Sequence, residues 1–354
     1  MGRNGRLTLL ALVLILVGLV FLRGPTPHIT IKPETLYSFG SVNITNTMVT
    51  SWIVVILMVV GVFLMTRRWE LVPRGAQNLL EAMLEAFYNV VTGIAGEKNG
   101  RRFFPAVATI FFFVLFANWL SLTPVFNVIG LGQEEEHGFV MKQVDVGPIP
   151  LTYTTLSQPG HWKGETIDKE DPQAAQKAEE EKEKGNFVGE LKPCLRGINT
   201  DLNTPLALAI MSAIFVEFWG ISTLGFRTYG SKFFNFGGIF RGLRHLSLGE
   251  MFQGVIDAFV GGLEFISETV RLVSFTFRLF GNMFAGEVVI LMFTFLFPLI
   301  LTLPFYGLEI VVGIMQAFIF ATLTLVFGMM AVSHGGPHPE EAEVMGHAPE
   351  ASQT

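Results

Sequence analysis

Apolar and polar residues alternate along this chain on the scale of whole helices. Long uncharged runs are separated by short polar or basic ones. Phe103–Leu122, Val288–Leu308 and Ile310–Val332 each extend for 20 residues or more without Asp, Glu, Lys or Arg. About 20 apolar residues cross a hydrocarbon core of roughly 30 Å as a helix, so these runs predict membrane spans. Met48–Met65, closed by Thr66-Arg67-Arg68, predicts another, and so does Pro205–Phe226, which carries the single acid Glu217. The last part reads as a long tilted hairpin: Leu248 to about Phe297, a break from Pro298 to Pro304, then Phe305 to Val332. A different pattern separates the first two spans. Leu79, Leu80, Met83, Leu84, Phe87, Val90, Val91 and Ile94 recur at helical spacing, with Gln77, Glu81, Glu85, Asn89 and Thr92 opposite. That spacing predicts an amphipathic helix, lying on the membrane surface or against a hairpin.

The N-terminus admits two readings. Leu7–Leu22 follows the basic head MGRNGR, and its 16 apolar residues are long for a signal core and short for a span. The segment is either a retained anchor or a cleaved signal, and LRGPTP lacks a small-residue cleavage pattern. The expected fold class is an all-α polytopic membrane protein with five to six membrane helices. Its parts are an N-terminal segment and outer linker (1–45), two membrane helices flanking the amphipathic one (46–131), and an outer insertion (132–200). A membrane helix with an inner basic loop (201–247), the long ion-translocating hairpin (248–333) and a disordered cytoplasmic tail (334–354) follow.

Composition agrees with the class: 50% of residues are hydrophobic, 15% are charged, and mean hydropathy is +0.49. The net charge of −6 reflects acids gathered in the insertion and the tail. From Gly132 to Thr200 there are 13 acids against 8 bases. Such a composition predicts a solvated loop, with at most a small strand around Pro148–Thr155. A single cysteine, Cys194, excludes an intrachain disulfide. Bases scattered at loop ends speak against nucleic acid. The tail histidines, His334, His338 and His347, give no metal-site spacing, and no cofactor motif occurs.

Those loop-end bases orient the chain. Arg67/Arg68, Lys98/Arg101/Arg102 and Arg227–Arg244 all fall on one side when the helices alternate, and so does the MGRNGR head if the first segment spans. The positive-inside rule makes that side cytoplasmic, so the insertion and the Pro298–Pro304 turn face outward.

Candidate chemistry lies within the hairpin. At about 100° per residue, Glu264, Ser267, Glu268, Arg271, Ser274, Arg278 and Asn282 form one polar ladder on an otherwise apolar helix. Glu287, nine residues past Arg278, points about 180° away. The second arm carries Glu309 and Gln316, seven apart. An ionised group at mid-bilayer costs between ~2.5 and ~10 kcal/mol or more, and such groups face protein or water along ion paths. Glu264 and Ser267 form an inner polar patch. Glu287 and Glu309, with Gln316, form an outer one. Arginine keeps its proton, so Arg278 cannot relay one. It can hold a carboxylate charged and block leakage between the patches. The Arg278 face has no mobile carboxyl of its own, which implies a partner subunit that brings one.

RLFGNMFAGE, with Gln316 in IMQAFIFATL, resembles subunit a of the membrane sector of F-type ATP synthases. The likeness extends from Asn46 to Val332 and includes ANWLSLTP (Ala117–Pro124) and DLNTPLALA (Asp201–Ala209). It implies a non-catalytic, ion-translocating stator subunit of an enzyme complex, set against a rotating ring of c subunits. Two offset proton half-channels then couple ion flow to rotation and ATP synthesis. On this resemblance Arg278 is the essential arginine facing the ring carboxylate, flanked by Asn282 and Gln316. Glu287 and Glu309 are the outer half-channel pair, and Asn118 is an outer amide. Glu264 and Ser267, with Ser274, line the inner half-channel. Expected partners are the c-ring, the peripheral-stalk subunit b, the remaining complex and membrane lipid. The expected location is a bacterial plasma membrane, and no cofactor is implied.

Two features depart from the family. Many relatives pair an acid with a histidine in the outer half-channel, whereas Glu287 and Glu309 are both acids. Two carboxyls in one site repel when both ionise, so this pair is expected to share a proton. The insertion is also long for the family. A secondary proton-coupled transporter or antiporter is the rival reading, but such proteins show inverted repeats with two broken helices, and Arg278 has no counterpart in the other half.

Overall fold

The fold comes from a computed structural model of the chain. It describes residues 29–40, 42–68, 70–123, 126–127, 129–133, 137–146, 149–153, 167–168, 186–233, 248–296 and 302–333, with isolated positions 5, 9, 10, 12 and 13. Apart from those positions, the N-terminal apolar segment lies outside the described residues. So do the acidic runs at 134–136 and 171–185, most of the inner basic loop, the turn after 296 and the tail.

A hairpin of β1 (Thr35–Phe39) and β2 (Val42–Thr45) leads into α1 (Asn46–Thr66). Next come α2 (Ala76–Ser121), strands β3 (Ile129–Gln133), β4 (His137–Val146), β5 (Ile149–Tyr153), β6 (Ile167–Asp168) and β7 (Asn186–Pro193), then α3 (Asn203–Leu224) and α4 (Phe226–Phe233). The chain ends in α5 (Leu248–Leu296) and α6 (Leu303–Ser333). Among the described residues five helices are long and apolar enough to cross a membrane: α1, α2, α3, α5 from Phe252, and α6. Helices α1, α3, α5 and α6 begin and end within a few residues of the segments the sequence predicts, whereas α2 runs the amphipathic helix and the following span together. At about 1.5 Å per residue, the 49 residues of α5 amount to about 74 Å of helix, more than twice a hydrocarbon core.

The insertion differs from expectation. It carries a five-stranded antiparallel sheet in the order β5-β3-β7-β4-β6, not a solvated loop with one small strand. Period-two alternation in Ile149, Leu151, Tyr153 and in Phe187, Leu191 was the signal. The acidic runs that dominate its composition fall between the strands rather than in them.

The chain forms two compact units. The first comprises Met1–Ala82, Thr109–Ala207 and Phe275–Phe320, and the second Met83–Ala108, Leu208–Ser274 and Ala321–Thr354. In the first, Thr45 caps α1 by accepting from the Met48 amide. Buried polar groups bind the head of α1 to the strand that leaves the sheet. Asn46 Nδ2 donates to the Pro193 carbonyl at 3.2 Å, and Thr47 Oγ1 donates to Asp201 Oδ2 at 2.9 Å. Val54, Ala117 and Ile198 pack beneath them. Phe293 and Phe305 stack at 3.9 Å between centroids, joining the arms of the terminal hairpin near their turn.

In the second unit, α2 changes direction at Gly96 (φ 70°, ψ 165°), a conformation that any Cβ disfavours. Phe87 and Tyr88 meet Phe104 with ring centroids 6.4 and 5.1 Å apart. Sixteen residues of straight helix would separate them by about 24 Å. The amphipathic helix therefore folds back on the start of the span that follows it, burying Phe87, Val91 and Ala95 while Ile94 stays exposed. Phe103 stacks on Trp219 of α3, and Ser212 and Thr324 hydroxyls bond at 2.7 Å in the apolar interior.

Candidate functional site

Helix α5 sorts its side chains by face. Phe275, Leu279, Met283 and Ile290 are buried, at spacings that keep one stripe turned inward. Ser267, Ser274, Arg278 and Asn282 are exposed. Among the described residues Arg278 makes no hydrogen bond or ion pair. A guanidinium bare on a helix of spanning length must be covered by protein or water. Among the described residues nothing covers that guanidinium.

Glu287 is held by two residues that the five-stranded sheet delivers. Asn127 Nδ2 donates to Oε1 at 2.6 Å, and Arg196 Nη2 lies 3.5 Å from Oε2. The ladder explains why they arrive together: β3 and β7 pair with Gly130 opposite Pro193 and Leu131 opposite Lys192. The same register, continued past the strand ends, sets Asn127 opposite Arg196. Two backbone bonds extend it, Cys194 N to Ile129 O at 3.0 Å and Asn127 N to Leu195 O at 3.1 Å. Asn127 has φ 59°, the left-handed region in which asparagine is the best tolerated side-chain-bearing residue. Arg196, only 6% exposed, also donates to the Thr30 carbonyl at 2.6 Å and to the Lys32 carbonyl at 3.4 Å. The base of the sheet is thus a fixed platform under one carboxylate.

Glu309, 6% exposed on α6, sits elsewhere around the same helix turn. Its carboxyl lies so close over Gly286 that a Cβ there would collide with it. The two acids therefore bracket one stretch of backbone, Glu309 against Gly286 and Glu287 against Asn127 and Arg196. Asn118 is buried between α2 and α6. Its Nδ2 donates to the Gly313 carbonyl at 3.3 Å, and its Oδ1 accepts from Asn199 Nδ2 at 2.7 Å. Gly313 lies one turn beyond Glu309 and one before Gln316, which is itself buried. Asn118, Glu309 and Gln316 thus occupy one stretch of α6 and its neighbour.

In the second unit Glu264 and Glu268 are half-buried and engaged, and Ser267 is exposed. Arg271 lies over the Phe327 ring at 3.6 Å, a cation–π contact with α6. Tyr229 of α4 is buried, with the charge of Glu217 acting on it. Burial first, and the Glu217 charge second, push its phenol well above the usual tyrosine range.

Reading the sequence missed Arg196, Asn127, Asn199, Gly286 and the Tyr229–Glu217 pair. Arg196 had one visible mark, a lone base in CLRGINTDLN beside the family-like DLNTPLALA stretch. Gly286 had another, as the small residue beside Glu287. For Asn127 and Asn199 the signal is the strand register and the burial, neither of which a linear reading supplies.

The chain matches the family described as ATP synthase A chain over residues 48–328. It belongs to the ATP synthase subunit a family. One relative, ATP synthase subunit a of Moorella thermoacetica, is 30% identical over 297 residues, covering 84% of this chain and 95% of the relative. The subunit a of Gloeobacter violaceus is 27% identical, covering 83% and 86%. ATP synthase subunit a 1 of Syntrophotalea carbinolica is 26% identical, covering 87% and 94%. Membership of the subunit a family makes this a multi-pass membrane component of the F-type complex. Its role is that of the stator subunit in proton translocation.

Proposed function

We propose that Arg278 is the fixed charge on which proton translocation by this subunit a turns, and that its partner is the carboxylate of a c subunit on the rotating ring. The exposure of Arg278 on α5 supports the reading, because such a charge needs a partner and none of the described residues pairs with it. Asn282, one turn on and also exposed, flanks it, and Gln316 stands on the neighbouring arm. Protons reach the ring from the outer side past Glu287, Glu309 and Asn118. They leave past Ser274, Ser267 and Glu264 toward the basic, cytoplasmic side of a bacterial plasma membrane. Arg278 separates the two paths by meeting each arriving carboxylate and keeping it ionised until it has passed. The peripheral-stalk subunit b holds the stator against the torque.

The test uses the whole complex reconstituted in vesicles. Arg278→Ala should assemble with its c-ring and lose proton-driven ATP synthesis, since no remaining group separates the two paths. Synthesis at the unaltered rate by that variant would sink the proposal.

A further inference from the structure

Where α1 hands over to α2, the chain builds a basic cleft that the proton path does not use. A cavity of about 420 Å³ is lined by Leu64, Met65, Arg67, Arg68, Glu70, Arg74, Ala76 and Gln77. Among the described residues none of the three guanidiniums has a hydrogen bond or ion pair. The only acid of the lining, Glu70, leaves it with a surplus of positive charge. The cleft is also fixed in shape. Gln77, 5% exposed, accepts from the Glu70 amide at 3.1 Å, and donates to the Glu70 carbonyl at 2.9 Å and to Glu81 at 2.7 Å. This clip closes residues 70–77 into a loop over the head of α2, whose first turn has neither an acid nor a side-chain cap.

Its position supplies the second half of the argument. Helix α1 has 21 residues, about 31 Å at 1.5 Å per residue, so its end reaches a membrane border. The bases mark that border as the cytoplasmic one. Leu71 is fully exposed and Val72 largely so, side chains that suit an interface and not bulk water. Along α1, Val60, Phe63 and Leu64 form an exposed apolar wall leading to the cleft. A ligand that meets all of this has an anionic phosphate at one end and hydrocarbon at the other.

We propose that this cleft binds the phosphodiester headgroup of an anionic glycerophospholipid from the cytoplasmic leaflet, with an acyl chain lying against α1. Guanidiniums match phosphate oxygens in pairs, and Leu71 and Val72 anchor the loop among the chains. A zwitterionic lipid brings the same phosphate but also a cation that three arginines repel. A free phosphate lacks the hydrocarbon that the α1 wall contacts.

The test is photolabelling of the intact, detergent-purified complex with phosphatidylglycerol bearing a photoreactive acyl chain. Phosphatidylcholine carrying the same group is the parallel arm, and inorganic phosphate is the competitor. Phosphatidylglycerol should label the region from α1 to Gln77 despite the added phosphate. Labelling should fall at least about tenfold for phosphatidylcholine and for the variant Arg67→Gln/Arg68→Gln/Arg74→Gln, as loss of several interfacial charges dictates. If the triple variant does not assemble, Arg74→Gln alone serves, with a loss of about fivefold. Equal labelling by both lipids, displacement by inorganic phosphate, undiminished labelling of the variants, or label on another subunit in place of this region would each overturn the assignment.

Discussion

Arg196 Nη2 lies 3.5 Å from Glu287 Oε2, and this ion pair joins the base of the five-stranded sheet to the helix that carries Arg278. The two acids stand in different surroundings. Both Glu287 oxygens are engaged, one by Asn127 and one by Arg196. Glu309 rests on the Gly286 backbone with no hydrogen bond among the described residues.

Removing one partner of a buried pair costs about 3–5 kcal/mol, because the other charge is left bare. Arg196→Gln should therefore lower the yield of assembled complex and its proton-driven synthesis together, and Arg196→Lys should recover part of both. Arg196→Gln/Glu287→Gln, a neutral pair of similar shape, should assemble better than Arg196→Gln alone. Thermal melting of the purified complexes checks this, and a double variant no more stable than the single would refute the pairing.

Gly286→Ala separates packing from charge. The new methyl group meets the flexible end of Glu309, so the carboxyl moves while the helices stay. We expect normal assembly with proton pumping reduced about tenfold, a misplacement effect of the kind small shifts produce. Glu309→Asp, one methylene shorter, should restore part of the rate in the Gly286→Ala background. ATP-driven proton uptake into inverted vesicles reads both variants, and full activity in the single variant would show that the close approach is dispensable.

The membrane part of the fold was legible because one constraint dominates it: every spanning backbone group must be satisfied within its helix, so uncharged length gives the element. The ladder from Glu264 to Asn282 was legible because helical spacing alone decides it. What faces what was not. Arg196 and Glu287 are joined only through the β3–β7 register, and the acidic composition of the insertion concealed that sheet. Gly96 shows the same limit, since the positive φ that folds the amphipathic helix back on the following span leaves no mark in the periodicity.

Asn118 makes two buried side-chain bonds, to the Gly313 carbonyl and to Asn199. Replacing it with leucine leaves the Asn199 amide and that carbonyl unsatisfied, at about 1–3 kcal/mol for each buried group. Asn118→Leu should thus lower stability as well as proton flow, whereas a residue that only lines water would lower flow alone. Melting temperature measured beside synthesis rate distinguishes the two.

Cys194 reports on both the sheet base and the orientation. Burial raises its thiol above the ordinary value, and the thiolate is the reactive form. At neutral pH less thiolate is present than in a free thiol, so alkylation of the folded complex should be slower than that of the denatured chain. The rate should also keep climbing at pH values where ordinary thiols have levelled off. Since Cys194 follows β7 directly and precedes Arg196, a membrane-impermeant maleimide should reach it from the outside, in intact cells stripped of their outer layers. It should not reach it in inverted vesicles. Labelling only in the inverted vesicles would reverse the topology drawn from the basic clusters. It would also place the Arg196–Glu287 pair on the side where protons leave.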